Sequence, residues 1–222
     1  MKLNLGIAVV LLNGSAWAET AAINSVNGAI SVAAYHEAGN LTTVNGSVEI
    51  GEHAAAFKVR TVNGSVTLDA VAKVIALTTV NGDLKVGPGA RIATDATSVN
   101  GAMTLAREAD IGGRISTVNG KITLDGAHVG HGIESVSGAI TIGTDSRVEG
   151  GILVHGSCSK GWLDGLFGSH CDAPLIVIAP GAVVKGTLRF ERKVKLYVSD
   201  SATVGTIEGA QAIIYSGTRA PL

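Results

Sequence analysis

Four residues of this 222-residue chain have the types and the closeness to bind a metal: His155, Cys158, His170 and Cys171. Imidazole and thiolate are the ligands zinc prefers. Adjacent residues such as His170 and Cys171 rarely ligate one ion together, and in an oxidising compartment two close cysteines pair. The spacing therefore favours a Cys158–Cys171 disulfide over a metal centre. A second candidate is His128-Val129-Gly130-His131, because β-helical acyltransferases with 18-residue coils use a histidine as general base. Those enzymes draw on cytosolic acyl donors, and this chain has the marks of export. A third possibility is polysaccharide cleavage, which needs carboxylates gathered in pairs or beside Arg or Lys. Asp69, Asp83, Asp110 and Asp125 instead fall at different places in the sequence pattern. None of the three candidates makes a catalytic set. The reading is of a non-enzyme with no catalytic, cofactor-binding or metal-binding residues, and a β-helix carbohydrate-active enzyme is the minor alternative.

Export is read from the first residues, MKLNLGIAVVLLNGSAWAET. Lys2 is a positive start, Leu5 to Leu12 an apolar run, and Ala16-Trp17-Ala18 a small-x-small cleavage site. These are the parts of a secretory signal over residues 1–18, with the mature chain starting at Glu19. The run is well short of the ~20 residues that span a bilayer. The expected location is the periplasm, cell surface or exterior of a bacterium. With 17 basic and 18 acidic residues, the chain lacks the basic stripe that nucleic acid binding needs.

Hydrophobic residues make up 46% of the chain, aromatics only 4%, and glycine numbers 30. That mixture suits short strands in repeated coils. One phrase recurs: LTTVNGSVEI, VRTVNGSVTL, LTTVNGDLKV, ATSVNGAMTL, ISTVNGKITL. Aligned on Asn27, Asn45, Asn63, Asn81, Asn100, Asn119 and then Ser137, the steps are 18, 18, 18, 19, 19 and 18. A further step of 18 reaches His155 as a degenerate eighth copy. A fixed short period marks a solenoid, and apolar alternation such as Val66-Thr67-Leu68 marks strands. The fold class is all-β: a single-stranded parallel β-helix, or β-solenoid, with ~18-residue coils of three sides, filling residues 19–222 as one domain. Asn-Gly is expected to turn a corner by adopting φ > 0, and the asparagines to stack as a structural ladder. Three columns are expected in the core, beginning at Val26, Ile30 and Val32. A hydroxyl column, Ser25, Thr43, Thr61, Thr79, Ser98, Thr117 and Ser135, raises ice binding. The neighbouring column Ser31, Glu49, Thr67, Lys85 is broken by charges, which argues against it.

One excursion interrupts the pattern, a Cys-bounded loop or helical insertion over residues 156–173. Trp162, Leu163, Leu166 and Phe167 in it would share one face of a short helix. They are the candidate partner-binding residues, since function concentrates where a regular scaffold is interrupted. Beyond it, Pro180-Gly181 and Val204-Gly205 read as corners of further coils.

The VNGxIxI phrase over about Ile23 to Gly143 resembles bacterial adhesin domains of unknown function. IAPGAVVKG, within about Leu175 to Gly209, looks like the coil of bactofilins, the polymer-forming β-helical proteins. The resemblances imply a solenoid and transfer no catalytic motif. The expectation is an exported structural or adhesin-like scaffold, with self-association as one form of it. The alternative is a periplasmic or cell-surface binding module that presents the Cys158–Cys171 loop to a protein or cell-wall partner.

Overall fold

The structure is a computed structural model that describes residues 8–10, 22–156 and 173–221. These residues wind into a parallel β-solenoid whose cross-section has three faces. Face one is an 11-stranded sheet that carries the residues after each Asn-Gly. Its strands include Ile30–Val32, Val48–Ile50, Val66–Leu68, Leu84–Val86, Met103–Leu105, Ile122–Leu124 and Ile140–Ile142. Face two is built of two-residue strands such as Arg91–Ile92, Asp110–Ile111, His128–Val129 and Arg147–Val148. Face three holds the residues before the pair, as in Leu41–Asn45, Ala96–Asn100 and Ile115–Asn119. In Ala55–Asn63 and Lys73–Asn81 one strand runs across the corner from face two to face three. All strand pairs are parallel, and the register is the repeat itself: Leu84 pairs with Val66 and Met103, and Asn81 with Asn63 and Asn100.

Alternation puts one side chain in and the next out. Ile30, Val48, Val66, Leu84, Met103, Ile122 and Ile140 form one buried column on face one, and Val32, Ile50, Leu68, Val86, Leu105, Leu124 and Ile142 another. Leu41, Val59, Leu77, Ala96, Ile115, Ile133 and Ile152 line the inside of face three. A small-residue column, Ala54, Ala72, Ala90, Ala109, Ala127, Ser146 and Ala182, fills the corner entering face two.

Four expectations are corrected. The valine column is not core: Val26 is 66% exposed, Val44 and Val118 are also exposed, and the rest are half-buried. The corner turns the chain there, so two consecutive side chains, Val and Asn, both point outward. The hydroxyl column lies inside instead. Thr43, Thr61 and Thr79 are buried and donate to the carbonyls of Gly28, Gly46 and Gly64, at 3.1, 3.0 and 3.3 Å. It therefore offers no outer face to ice.

The third correction concerns Asn-Gly. Neither residue of any repeat pair has positive φ; apart from Gly209 and Gly217, the left-handed residues among the described ones lie at the corner after face one. They are Tyr35, His53, Val71, Gly89, Glu108, Gly126, Asp145 and Gly181, so side chains as stiff as valine's occupy that strained region. The glycine of each pair is required by crowding. A Cβ on Gly46, Gly64 or Gly120 would lie 2.0 Å from the carbonyl oxygen of the glycine one coil before, and on Gly138 1.8 Å.

Register also locates the excursion. Ile122 pairs with Ile140, and Ile140 with Ile176, so the added chain leaves face one undisturbed. It enters after Ile152–Val154, at the corner where Asn-Gly stands in earlier coils. Ser135 pairs with Val154, a step of 19, so Gly156 rather than His155 occupies the asparagine place. Cys158, Cys171, His170, Trp162, Leu163, Leu166 and Phe167 lie outside the described residues. So does the stretch read as a leader, apart from Ala8–Val10, which pairs with Ile30–Val32 at the edge of face one. Gly181 and Gly205 stand at corners as expected.

Candidate functional site

The asparagine ladder forms. Asn45, Asn63, Asn81, Asn100 and Asn119 each donate from Nδ2 to Oδ1 of the asparagine one coil earlier, at 2.8–3.0 Å. Ser137 closes the column, its hydroxyl 2.5 Å from Asn119 Oδ1. Each carboxamide from Asn45 to Asn119 uses a donor and an acceptor, so the exposed column is hydrogen-bonded along its length.

A groove of about 570 Å³ opens elsewhere, at the corner between faces two and three. Its floor is made by Gly130-His131-Gly132 and Glu149-Gly150-Gly151, with Thr187 beyond. These coils touch backbone to backbone. A Cβ on Gly150 would fall 1.2 Å from the His131 carbonyl oxygen, and one on Gly151 2.1 Å from that of Thr187. Where these glycines bring the coils together, the side chains on either side stand up as walls.

The walls are charged. Arg114 Nη1 donates to Glu134 Oε1 at 2.6 Å. Lys185 Nζ is 2.6 Å from Glu149 Oε2, and Arg147 Nε donates to Glu149 Oε1. The hydrogen bonds from Lys185 and then Arg147 lower the Glu149 pKa to about 2. This carboxylate therefore accepts hydrogen bonds at neutral pH and has no proton to give. Arg189 and Glu208 also line the groove. The arrangement suits an extended polar chain held by peptide carbonyls and side-chain charges.

His128 meets Asp110, with Nδ1 2.6 Å from Oδ1, and its Nε2 lies 3.8 Å from Glu149 Oε1. His131 faces the groove instead, so the two histidines of HVGH do not converge. Of the scattered aspartates, Asp83 accepts from the Ala102 amide at 2.8 Å, a structural task. His155 is 3.6 Å from Glu191 Oε2. Among the described residues no group of three His, Cys, Asp or Glu could hold a metal ion. Near the C-terminal coils, Lys185 pairs with Glu149, and the Arg192 guanidinium donates to the Val136 carbonyl at 3.2 Å.

Sequence reasoning missed the groove. Its signal was present as GGR, GHG, EGG and KGT at coil spacing (Gly112-Gly113-Arg114 through Lys185-Gly186-Thr187), a second glycine column that reads as mere spacer beside the louder Asn-Gly. No family model, curated protein or solved structure matches the chain.

Proposed function

We propose that the protein is an exported, non-enzymatic scaffold of the bacterial envelope, structural or adhesin-like, whose coils continue from one molecule to the next. The observation that carries this is the stacking itself. Every coil templates the following one, and the last described strand of face one, Ala212–Tyr215, is hydrogen-bonded on one side only, to Lys195–Ser199. Ile213 and Ile214 of that strand are 50% and 61% exposed. An unpaired strand edge with apolar neighbours readily recruits another strand. The phrase-level likeness to adhesin domains and to bactofilin coils agrees with this reading. The test is negative-stain electron microscopy with light scattering, on the chain from Glu19 onward. Filaments or stacked rods support it; a monodisperse single rod at all concentrations refutes it.

A second reading rests on the place of the excursion. The described chain stops at Gly156 and resumes at Ala173 with face one in register, as expected where a scaffold carries an element for a protein or cell-wall partner. Trp162→Ala and Phe167→Ala would then abolish capture of cell-wall material while leaving the rod's melting unchanged. Undiminished capture by both variants counts against it.

A further inference from the structure

The six Asn-Gly pairs of the repeat share one local sequence but not one environment. For the first five, the glycine N–H donates to the asparagine carbonyl of the next coil: Gly28 to Asn45, Gly46 to Asn63, Gly64 to Asn81, Gly82 to Asn100 and Gly101 to Asn119, at 2.9–3.2 Å. The sixth differs. Strand pairing between Ile115–Asn119 and Ile133–Ser135 stops at Thr117–Ser135, and Gly120 N–H has no acceptor among the described residues. Asn119 is exposed, and its Oδ1 receives the Ser137 hydroxyl at 2.5 Å, which draws electron density from Cγ.

We propose that Asn119-Gly120 is a modification site, the first of the six pairs to deamidate. The Gly120 nitrogen attacks Asn119 Cγ. The N–Cγ bond forms, the Cγ–Nδ2 bond breaks, and ammonia leaves with the proton from Gly120. Water then opens the succinimide at either carbonyl, giving aspartate or isoaspartate. No other reactant is needed. In the first five pairs the attacking nitrogen is held as a donor in the ladder, and the attack must wait for that bond to open. The product carries a new negative charge and has lost the donor that reaches Asn100 Oδ1 at 3.0 Å. Isoaspartate also lengthens the backbone at a corner where the coils touch. The change therefore falls two coils before the corner from which the excursion departs.

The experiment is peptide mapping by mass spectrometry of the full chain, sampled during incubation at mildly alkaline pH. Asn119 is expected to convert faster than each of the other five by about tenfold, the effect of leaving one backbone hydrogen bond unmade. In concentrated urea the six rates should converge. Equal rates in the folded chain overturn the proposal, and so does an Asn119 excess that persists in urea, which would make it a property of the neighbouring Lys121. Ser137→Asn extends the ladder by one coil and should slow Asn119. An unchanged rate in that variant, with the fold intact by circular dichroism, also overturns it.

Discussion

Two kinds of corner glycine predict two different penalties, and Gly82 and Gly89 separate them within one coil. At Gly82 φ is ordinary, but an added Cβ would sit 2.2 Å from the Gly64 carbonyl oxygen and 2.4 Å from its carbon. Ordinary contact begins near 3.4 Å, so the coils must part by roughly 1 Å, and both atoms are backbone with no rotamer to yield. Parting strains the bonds Gly64 N–H to Asn81 at 2.9 Å and Asn81 Nδ2 to Asn63 at 2.8 Å. At a net ~1 kcal/mol each, Gly82→Ala should cost about 2 kcal/mol. At Gly89 the φ of +65° is the difficulty, while a Cβ would meet only Val71 Cγ2 at an ordinary 3.6 Å. The left-handed penalty of ~1–2 kcal/mol, partly offset by a stiffer unfolded chain, leaves about 1 kcal/mol for Gly89→Ala. Urea unfolding followed by circular dichroism measures both, read as midpoint shifts at unchanged m. If Gly89→Ala proves as damaging as Gly82→Ala, backbone contact between coils is not what fixes glycine after asparagine.

The interior hydroxyls make a second contrast. Thr79 donates to Gly64 O, whereas Thr117 Oγ1 is buried with no partner among the described residues; Thr79→Val should lower stability by ~1 kcal/mol and Thr117→Val leave it level or raise it, by the same urea assay. Val71 has a φ of 59° and is 36% exposed, so Val71→Gly should stabilise by roughly 0.5–1 kcal/mol, the left-handed strain released less the glycine entropy, and a lower melting temperature would refute the strain. Glu149 has a folded pKa below its ordinary 4.5, at about 2, so its ion pairs contribute above 4.5 and are lost as pH falls toward 2. The melting-temperature gap between wild type and Glu149→Gln should therefore be widest near neutrality and close across that window; a gap that grows on acidification contradicts the sign.

The period of 18, the three sides and the columns from Ile30 and Val32 were legible because each coil repeats the same apolar alternation, and a copied pattern reinforces itself. The asparagine ladder was legible for the same reason. The purpose of its glycine was not. A tight turn and a close approach both call for glycine, and only the carbonyl lying 2.0 Å from the missing Cβ of Gly64 tells them apart. Val44 and Thr43 were placed on the wrong sides because strict alternation was carried through a corner, where two successive side chains point outward. The groove escaped notice because Arg114, Glu134, Glu149 and Arg189 come from separate coils, and their meeting depends on 19-residue as well as 18-residue steps. The left-handed residues escaped because Tyr35 and Val71 are bulky or β-branched types that sequence rules place outside such φ.

The ladder has a consequence for symmetry. The carboxamides of Asn45 to Asn119 all donate toward the N-terminal end, and every described strand pair is parallel. The rod therefore has a direction, like an arrow, and its two ends are chemically different surfaces. A twofold axis would have to match an end with itself, an antiparallel junction in which the amide columns meet head on. Stacking that continues the sheets must instead join unlike ends. A junction of unlike ends along one axis does not close into a ring, so its product is an open chain whose length varies with concentration.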